Sequence, residues 1–263
     1  MKRFILNSEP ERNGTVRLTG EDYHYLARVR RLAPGEYFPG LLPSGEKVLI
    51  RIDSVDGGVL TGTVAPENAA SEAAASAAGQ PGMPPLVLFQ GLPKGEKMDL
   101  IVRQAAEGGL AEIVPFTAEY SVPKPPGQAK LSRWRRIIKE ARQQSGSGVE
   151  TAIRAPLCAD ELFAYWETLK IQHPGALGLA LHQIPLENNS IHSYLDNIPP
   201  LIVAAVGPEG GFSPSELGRF REAGFRPVTI GGTVLRTETA AVYAAAAIHI
   251  IVQERDSWET GKK

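Results

Sequence analysis

The chain has 263 residues, of which 43% are hydrophobic, and its formal net charge at pH 7 is −1. This length suits two modest domains or one large α/β domain with an appendage, and the hydrophobic content excludes a disordered chain. A nearly neutral chain is also not expected to bind nucleic acid through its overall charge alone.

Cysteine and histidine usage limits the possible chemistry. The single cysteine, Cys158, excludes an internal disulfide and indicates a reducing compartment, and the five scattered histidines lack the spacing of a metal site. The first residues turn polar by Ser8, and the apolar run 240–252 is too short to span a membrane. We therefore expect a cytoplasmic protein with no metal and no membrane segment.

The first 66 residues predict a small β-barrel. Residues 47–52 and 58–64 are β-branched runs bounded by turn-forming residues, and residues 21–31 form a short amphipathic helix. Residues 67–85 are then rich in Ala, Ser, Gly and Pro without a hydrophobic period, which predicts a linker.

From residue 86 onward, apolar strands alternate with helices, which predicts a mostly parallel sheet covered on both faces. Ser132 is the predicted N-cap of a helix with Trp134, Ile137, Ile138 and Ala141 on its buried stripe. The other predicted elements are strands at 86–89, 111–116, 176–181, 201–206 and 226–230, a helix at 96–107, and a final helix that is apolar all round, and so buried, over 240–252.

Between residues 124 and 142 there are seven basic residues and one acid. A local basic face on a neutral protein suits selective contact with phosphates, although a solvated helix face explains the pattern equally well. The basic residues are Lys124, Lys130, Arg133, Arg135, Arg136, Lys139 and Arg142.

A glycine-rich loop follows the predicted strand at 201–206. It reads Gly-Pro-Glu-Gly-Gly-Phe over residues 207–212, and Ser213, Pro214 and Glu216 then supply a capping box with proline as the first helical residue. Glycines at the carboxyl end of a strand let the backbone approach a ligand, whereas the alternative, a tight turn, requires fewer of them. The spacing matches neither a dinucleotide fingerprint nor a phosphate loop.

A second loop repeats this arrangement after the strand at 226–230. Gly231 and Gly232 come first, and Thr237 is the predicted cap of the last helix. Arg236 and Glu238 are then either an ion pair that steadies the loop or a cation and a carboxylate that face a ligand.

These motifs resemble the RsmE family, the ribosomal RNA small-subunit methyltransferases E of the SPOUT class. The resemblance rests on G-P-E-G-G-F-S-x-x-E-L at 207–217 and L-R-T-E-T-A at 235–240. Shorter matches at 3–4, 24–30, 94–99 and 144–146 extend it over nearly the whole chain outside the linker.

The resemblance implies an α/β fold with three parts. These are a PUA-like RNA-binding β-barrel (1–66), the linker (67–85) and a SPOUT domain (86–263) whose mostly parallel sheet forms a trefoil-knotted cofactor site. The implied partners are a second copy of the chain, in a homodimer, and small-subunit ribosomal RNA or the assembling small ribosomal subunit.

The implied reaction is methylation of uracil N3 of a specific uridine in 16S ribosomal RNA, with S-adenosyl-L-methionine as the methyl donor. The residues implied to bind this cofactor are Leu181, His182, Val206, Gly207, Pro208, Glu209, Gly211, Ile230, Gly231, Leu235, Thr237 and Ala240. Those expected to contact RNA are Arg3, His24, Arg28, Arg30, Lys94, Lys97, Arg103, Arg133, Arg136 and Gln144.

Methyl transfer to uracil N3 also requires removal of the N3 proton. We assign Arg236 to stabilising the uracil anion or an RNA phosphate, and Glu238 and Glu209 to accepting the proton or orienting the substrate.

The chain departs from the family at Gln104, Ser147 and Thr233, where relatives commonly carry basic residues, and Arg103 is placed to replace one of them. The three positions are expected to face RNA, while the cofactor motifs are intact. Two alternatives therefore remain: a SPOUT methyltransferase acting on another nucleotide or on ribose, and a non-catalytic ribosome-assembly or RNA-binding relative.

Overall fold

The computed structural model describes residues 3–30, 32–66, 83–123, 125–184 and 190–259. The chain divides into two compact units, residues 1–81 with 139–150 and residues 82–138 with 151–263. Neither unit is one continuous segment, because residues 139–150 belong with the first. Most of the predicted linker (67–82), together with Lys124 of the basic stretch, lies outside the described residues.

The first unit is built on a five-stranded sheet, and this β-rich architecture agrees with the sequence. Its strands are β1 (Phe4–Ile5), β2 (Thr15–Leu18), β3 (Tyr37–Leu41), β4 (Lys47–Asp56) and β5 (Val59–Pro66). Their order is β1-β3-β4-β5-β2, with β1 parallel to β3 and the other pairs antiparallel. Strand β4 buries Val48, Ile50 and Ile52 at every second position, so one face of the sheet packs on the core of this unit.

The helix predicted at 21–31 is present but changes its winding. Gly20–Tyr23 form α1, and His24–Val29 continue as a π-helical turn in which the Arg30 N–H donates to the Tyr25 carbonyl, five residues back, at 2.9 Å. Over so few residues the amphipathic spacing does not distinguish the two windings. Leu26 of this turn is fully buried.

The second unit contains a six-stranded sheet in which every pair is parallel, so the predicted sheet type is confirmed. Its strands are β6 (Leu86–Gly91), β7 (Glu112–Phe116), β8 (Ala152–Ile153), β9 (Leu177–Leu181), β10 (Ile202–Val206) and β11 (Arg226–Val228), in the order β11-β9-β10-β6-β7-β8. Strands β6 and β10 are central and buried along their whole length. The two-residue β8 was not predicted.

Helices cover both faces of this sheet. The helices that follow β6 within the described ranges are α2 (Lys97–Glu107), α3 (Gln128–Ser145), α4 (Ala159–Gln172), α5 (Ile191–Tyr194), α6 (Pro214–Glu222) and α7 (Thr237–Glu259), and residues 139–145 of α3 belong to the first unit. On one face, α4 and α6 bury Trp166 and Phe220 against Phe89 of β6. On the other face, α7 packs against β6, β10 and α2.

The predicted N-cap of α3 is wrong, because the helix begins one turn earlier, at Gln128. The Gly127 carbonyl accepts hydrogen bonds from the N–H groups of Lys130 and Leu131, and Leu131 is buried, so it extends the apolar stripe towards the N-terminus. Ser132 is an exposed residue within the helix. The four residues predicted to form the stripe are all buried.

The apolar composition of α7 predicted a helix that is buried on all sides, and this prediction is wrong. Tyr243 is 53% exposed and Ile250 is 49% exposed, while Ala244 and Ile248 are buried. The neighbouring strands and α2 cover only one side of the helix, so an apolar face remains open on the single chain. No helix within the described ranges combines the length and the apolar character needed to cross a membrane.

Candidate functional site

A pocket of about 610 Å³ opens where the neighbouring parallel strands β9, β10 and β11 end. Its walls come from the segments that follow these three strands, from the first turn of α7 and from Lys97 of α2. The carboxyl ends of parallel strands lie at one edge of a sheet, and ligands of open α/β sheets bind there. Both glycine-rich motifs of the sequence meet in this pocket.

The loop after β10 is both a tight turn and a wall of the pocket. The Gly211 N–H donates to the Pro208 carbonyl at 2.9 Å, which closes the turn. A Cβ atom on Gly207 would lie 2.8 Å from the carbonyl carbon of Gly211, closer than side chains approach backbone. Glycine is therefore required at position 207 by the turn itself, and the backbone of the loop stays open to a ligand.

The capping box predicted for α6 is confirmed. The Glu216 N–H donates to Ser213 Oγ at 3.1 Å, and the Ser213 N–H donates to Glu216 Oε2 at 2.9 Å. The other carboxylate oxygen, Oε1, accepts the N–H of Glu119 at 2.9 Å. The start of α6 is therefore tied to the segment that follows β7.

Thr237 does not act as the predicted side-chain cap of α7. It is the first residue of the helix, and its buried hydroxyl donates to the Gly207 carbonyl at 2.6 Å. The same hydroxyl accepts a hydrogen bond from Gln90 Nε2 at 2.9 Å, and Gln90 Nε2 also donates to the Gly91 carbonyl. The second loop is thereby joined to the first loop and to the end of β6.

Glu209 of the first loop is held by two donors. Lys97 Nζ donates to Glu209 Oε1 at 2.7 Å, and the Lys94 N–H donates to the same carboxylate at 3.0 Å. Partial burial of the Glu209 carboxyl opposes its ionisation, but these hydrogen bonds outweigh it and lower the pKa of Glu209. Lys97, expected to contact RNA, instead lines the pocket.

Arg236 and Glu238 do not form the ion pair that was one interpretation of the sequence. Arg236 is exposed and lines the pocket, and its guanidinium has no hydrogen-bond or ion-pair partner within the described part of the chain. The Glu238 side chain is only 12% exposed, and its Oε2 lies 3.8 Å from Lys97 Nζ without a hydrogen bond. Each group therefore keeps unused hydrogen-bonding capacity.

Most of the residues implied to bind the cofactor lie together. All of them except Gly231 line the pocket, and Gly231 lies between the lining residues Ile230 and Thr233. No cluster of three or more His, Cys, Asp or Glu side chains that could hold a metal occurs among the residues with described positions. Gly210 and Phe212, which belong to the predicted glycine-rich loop, also line the pocket, and the lining residues that were not predicted there are Lys97, Gln183, Thr229, Thr233 and Val234.

All but one of these unassigned residues adjoin motif positions that were predicted, so extending each motif by a few residues finds them. Lys97 is the exception. It lies 112 positions before Glu209 in the sequence, and no local pattern indicates their contact.

The residues expected to contact RNA are divided between the two units. His24, Arg28, Arg30 and Gln144 are exposed in the first unit, where the Arg3 N–H donates to the Gln143 carbonyl. In the second unit the exposed members are Lys94, Arg103, Arg133 and Arg136.

The charge of Arg133 is already paired. Arg133 Nη2 lies 2.6 Å from Asp99 Oδ2, and Asp99 also accepts a hydrogen bond from Trp134 Nε1.

Arg142 of the basic stretch and Gln104, one of the departures from the family, were expected to be exposed, but both side chains turn inward. Arg142 is only 7% exposed, and burial lowers the pKa of its guanidinium, so it is not part of an exposed basic face. Gln104 does not face outward either, because its Oε1 is buried without a partner beside a small cavity lined by Ala241 and Ala245 of α7.

Comparison with known proteins places these features among RNA-modifying enzymes. Residues 81–249 match the family described as an RNA methyltransferase domain. Ribosomal RNA small subunit methyltransferase E of a Synechocystis species is 32% identical over 95% of this chain and 78% of its own length. The protein of the same name from Aquifex aeolicus is 30% identical over 90% of this chain and 95% of its own length.

Solved structures share the fold over nearly the full length. A Neisseria gonorrhoeae ribosomal RNA small subunit methyltransferase E, bound to S-adenosylmethionine, is 24% identical with a TM-score of 0.75, and covers 95% of this chain and 98% of its own. A Legionella pneumophila protein in complex with the same cofactor is 25% identical with a TM-score of 0.75, and covers 94% and 96%.

Replacing Thr237 with valine tests the bridge that joins the two loops. Valine keeps the shape but removes the hydroxyl, leaving the Gly207 carbonyl and the Gln90 amide buried with one partner fewer. We expect the free energy of unfolding to fall by about 1–3 kcal/mol in urea titrations. Thr237→Ser retains the hydroxyl and is the matched control. Equal stability of the valine variant and the original chain would contradict the role of this hydroxyl.

Proposed function

Since this chain belongs to the ribosomal RNA small subunit methyltransferase E family, we propose that it transfers a methyl group from S-adenosylmethionine to uracil N3 of a specific uridine in 16S ribosomal RNA. The observation that carries this proposal is the pocket formed by two glycine-rich loops at the carboxyl ends of parallel strands. The trefoil knot of the SPOUT class remains a prediction for this part of the chain.

The pocket suits this cofactor in size and lining. Its volume of about 610 Å³ falls within the usual range for small-ligand sites. Leu181, Ile230 and Leu235 offer apolar contact for a purine ring, while the backbone of residues 207–211 offers hydrogen-bonding groups to the polar parts. The bound cofactor would supply an electrophilic methyl group on a sulfonium. The protein therefore has mainly to hold and orient the two reactants.

Arg236 is the side chain best placed to act on the acceptor. It lines the pocket, it is exposed, and its charge is not used by another described residue. A guanidinium at this position would stabilise negative charge that develops on the uracil ring, or it would hold an adjacent phosphate.

Of the two candidate carboxylates, Glu238 is the better proton acceptor. Glu209 is engaged by Lys97 and by the Lys94 N–H, so its role is to fix the first loop. Glu238 Oε2 has no hydrogen-bond partner and belongs to the residue after pocket-lining Thr237. A carboxylate oxygen that has no hydrogen bond, and has only an ion-pair contact with Lys97, can accept the N3 proton or orient the group that does so.

We propose that RNA is held by exposed basic groups on both units. The first unit, as a PUA-like domain, would contribute Arg28 and Arg30, and the second would contribute Lys94, Arg103 and Arg136. Each phosphate that such groups neutralise releases counterions, so binding should weaken as salt rises. The RNA substrate would be either free ribosomal RNA or an assembling small subunit. Either substrate would place the enzyme in the cytoplasm.

We further propose that the chain works as a homodimer through α7. Tyr243 and Ile250 lie seven residues apart on this helix and are about half exposed, so they form one apolar face. Ala240, at the start of the same helix, lines the pocket. A second copy of the chain would cover the apolar face close to the cofactor.

The proposed reaction is tested by methyl transfer. The purified chain is incubated with labelled S-adenosylmethionine and either small ribosomal subunits or free 16S ribosomal RNA that lack the modification, and the product nucleosides are identified by mass spectrometry. We expect 3-methyluridine. Another methylated nucleoside would overturn the N3 assignment, and failure to bind the cofactor in calorimetry would overturn the enzymatic proposal itself.

Arg236→Ala should lower the rate constant of methyl transfer by about 10²–10³-fold, because the group that stabilises the acceptor charge is removed. The dissociation constant of the cofactor should stay within a few-fold of its original value. Arg219→Ala is the matched control, since Arg219 has a side chain that is 41% exposed, pairs with Asp160 and does not line the pocket. Turnover near the original rate in Arg236→Ala would rule out the assigned role.

Tyr243→Glu tests the proposed dimer, because a charge on the apolar face of α7 would have to be buried at the interface. Light scattering should give about twice the 28.3 kDa chain mass for the original protein and a single chain mass for the variant. Ile171→Glu places the same charge on an apolar side chain of α4 that is 79% exposed, and it should not change the mass. A monomeric original protein would refute the dimer.

A further inference from the structure

Tyr120 is an exposed aromatic residue that packs against the wall of the cofactor pocket. The proposed reaction assigns no role to it. It follows β7, its side chain is 45% exposed, and its hydroxyl makes no hydrogen bond to any described residue. We propose that the Tyr120 ring is the surface on which the target base stacks when it enters the site. This inference rests on the proposed function, because it requires a nucleobase as the methyl acceptor.

The turn that carries Tyr120 is held in place by its neighbours. The Ser121 N–H donates to the Ala118 carbonyl at 2.9 Å, and the Ala118 N–H donates to Ser121 Oγ at 3.1 Å. The Glu119 N–H donates to Glu216 Oε1, so the turn is fixed to the capping box of α6. The Glu216 carboxylate is itself buried. Tyr120 is therefore presented by a turn with few alternative conformations.

Tyr120 also contacts the first loop of the pocket directly. A Cβ atom on Gly210 would lie 2.8 Å from Tyr120 Cβ and 3.2 Å from its ring atoms Cγ and Cδ2. Gly210 lines the pocket, so Tyr120 packs against a residue of the pocket wall. The absence of a side chain at position 210 allows this close approach.

An acceptor base has to leave its stack in RNA before its N3 atom can reach a methyl group in this pocket. An aromatic side chain at the site of arrival compensates for the lost stacking, as in proteins that bind single-stranded RNA. The unpaired guanidinium of Arg236 is available for the polar part of the acceptor. The Tyr120 ring would thus stack on the face of the base, and Arg236 would stabilise the negative charge that develops on the base.

A purely supporting role for Tyr120, as packing for Gly210, predicts a different result from base stacking. Tyr120→Leu keeps apolar packing against Gly210 but removes the aromatic face, whereas Tyr120→Phe keeps both. Stacking contributes on the order of a ten-fold effect per base. We expect Tyr120→Leu to lower kcat/KM for RNA about ten-fold, with Tyr120→Phe within two-fold of the original chain. The dissociation constant of S-adenosylmethionine should be unchanged in both variants.

Ile171→Ala is the control for removing an exposed apolar side chain, since Ile171 lies on α4 and does not line the pocket. Unchanged kcat/KM in Tyr120→Leu would overturn the proposal. A loss matched by equally weaker cofactor binding would also overturn it, because it would indicate support of the loop alone.

RNA binding in the presence of S-adenosylhomocysteine, measured by fluorescence anisotropy, separates this inference from the proposed function. If the original chain binds RNA without methylating it, the proposed function fails. A ten-fold weaker affinity of Tyr120→Leu than of Tyr120→Phe would then still support stacking, and equal affinities would overturn it. If the original chain binds no RNA, both proposals fail together.

Discussion

The Thr237 hydroxyl is the contact on which the geometry of the pocket depends. It donates to the Gly207 carbonyl and accepts from Gln90 Nε2, so it joins residues that are 30 and 147 positions away in the sequence. All of these polar groups are buried, and a buried polar group that loses its partner costs about 1–3 kcal/mol. The end of β6, the loop after β10 and the start of α7 therefore have to adopt one arrangement together.

Other polar groups of the pocket also form hydrogen bonds that hold the loops, and this limits the number of groups that could act on a substrate. The Glu209 carboxylate is occupied by Lys97 and the Lys94 N–H, while the Gly211 N–H closes its own turn. Arg236 and Glu238 Oε2 remain without hydrogen bonds to described residues. We therefore propose that Arg236, which lines the pocket, and Glu238, the second residue of α7, are the groups that remain for the substrate.

The sequence predicted those parts of the site whose interactions are local. The capping box of Ser213 and Glu216 spans three residues, and the apolar strands β6 and β10 are continuous runs, so both were predicted correctly. The prediction that the Thr237 side chain caps α7 was wrong, because its hydroxyl donates instead to the Gly207 carbonyl, 30 residues earlier. The prediction of Ser132 as the N-cap of α3 was wrong for a related reason. Leu131 is buried and extends the apolar stripe, and the helix begins at Gln128.

We propose that cofactor binding and target choice depend on different parts of this site. The loop after β10 would offer its backbone to the cofactor, and a side chain at Gly207 would require the turn to move. On the acceptor side that we propose, the exposed side chains of Arg236 and Tyr120 would contact the target base. Of the positions that depart from the family, Gln104 turns its amide oxygen inward, whereas Thr233 lines the pocket. Thr233 can therefore affect what the pocket binds, while Gln104 lies where α2 and α7 pack together. If exposed side chains select the RNA target, as we propose, they can be exchanged without changing the backbone turn at Gly207.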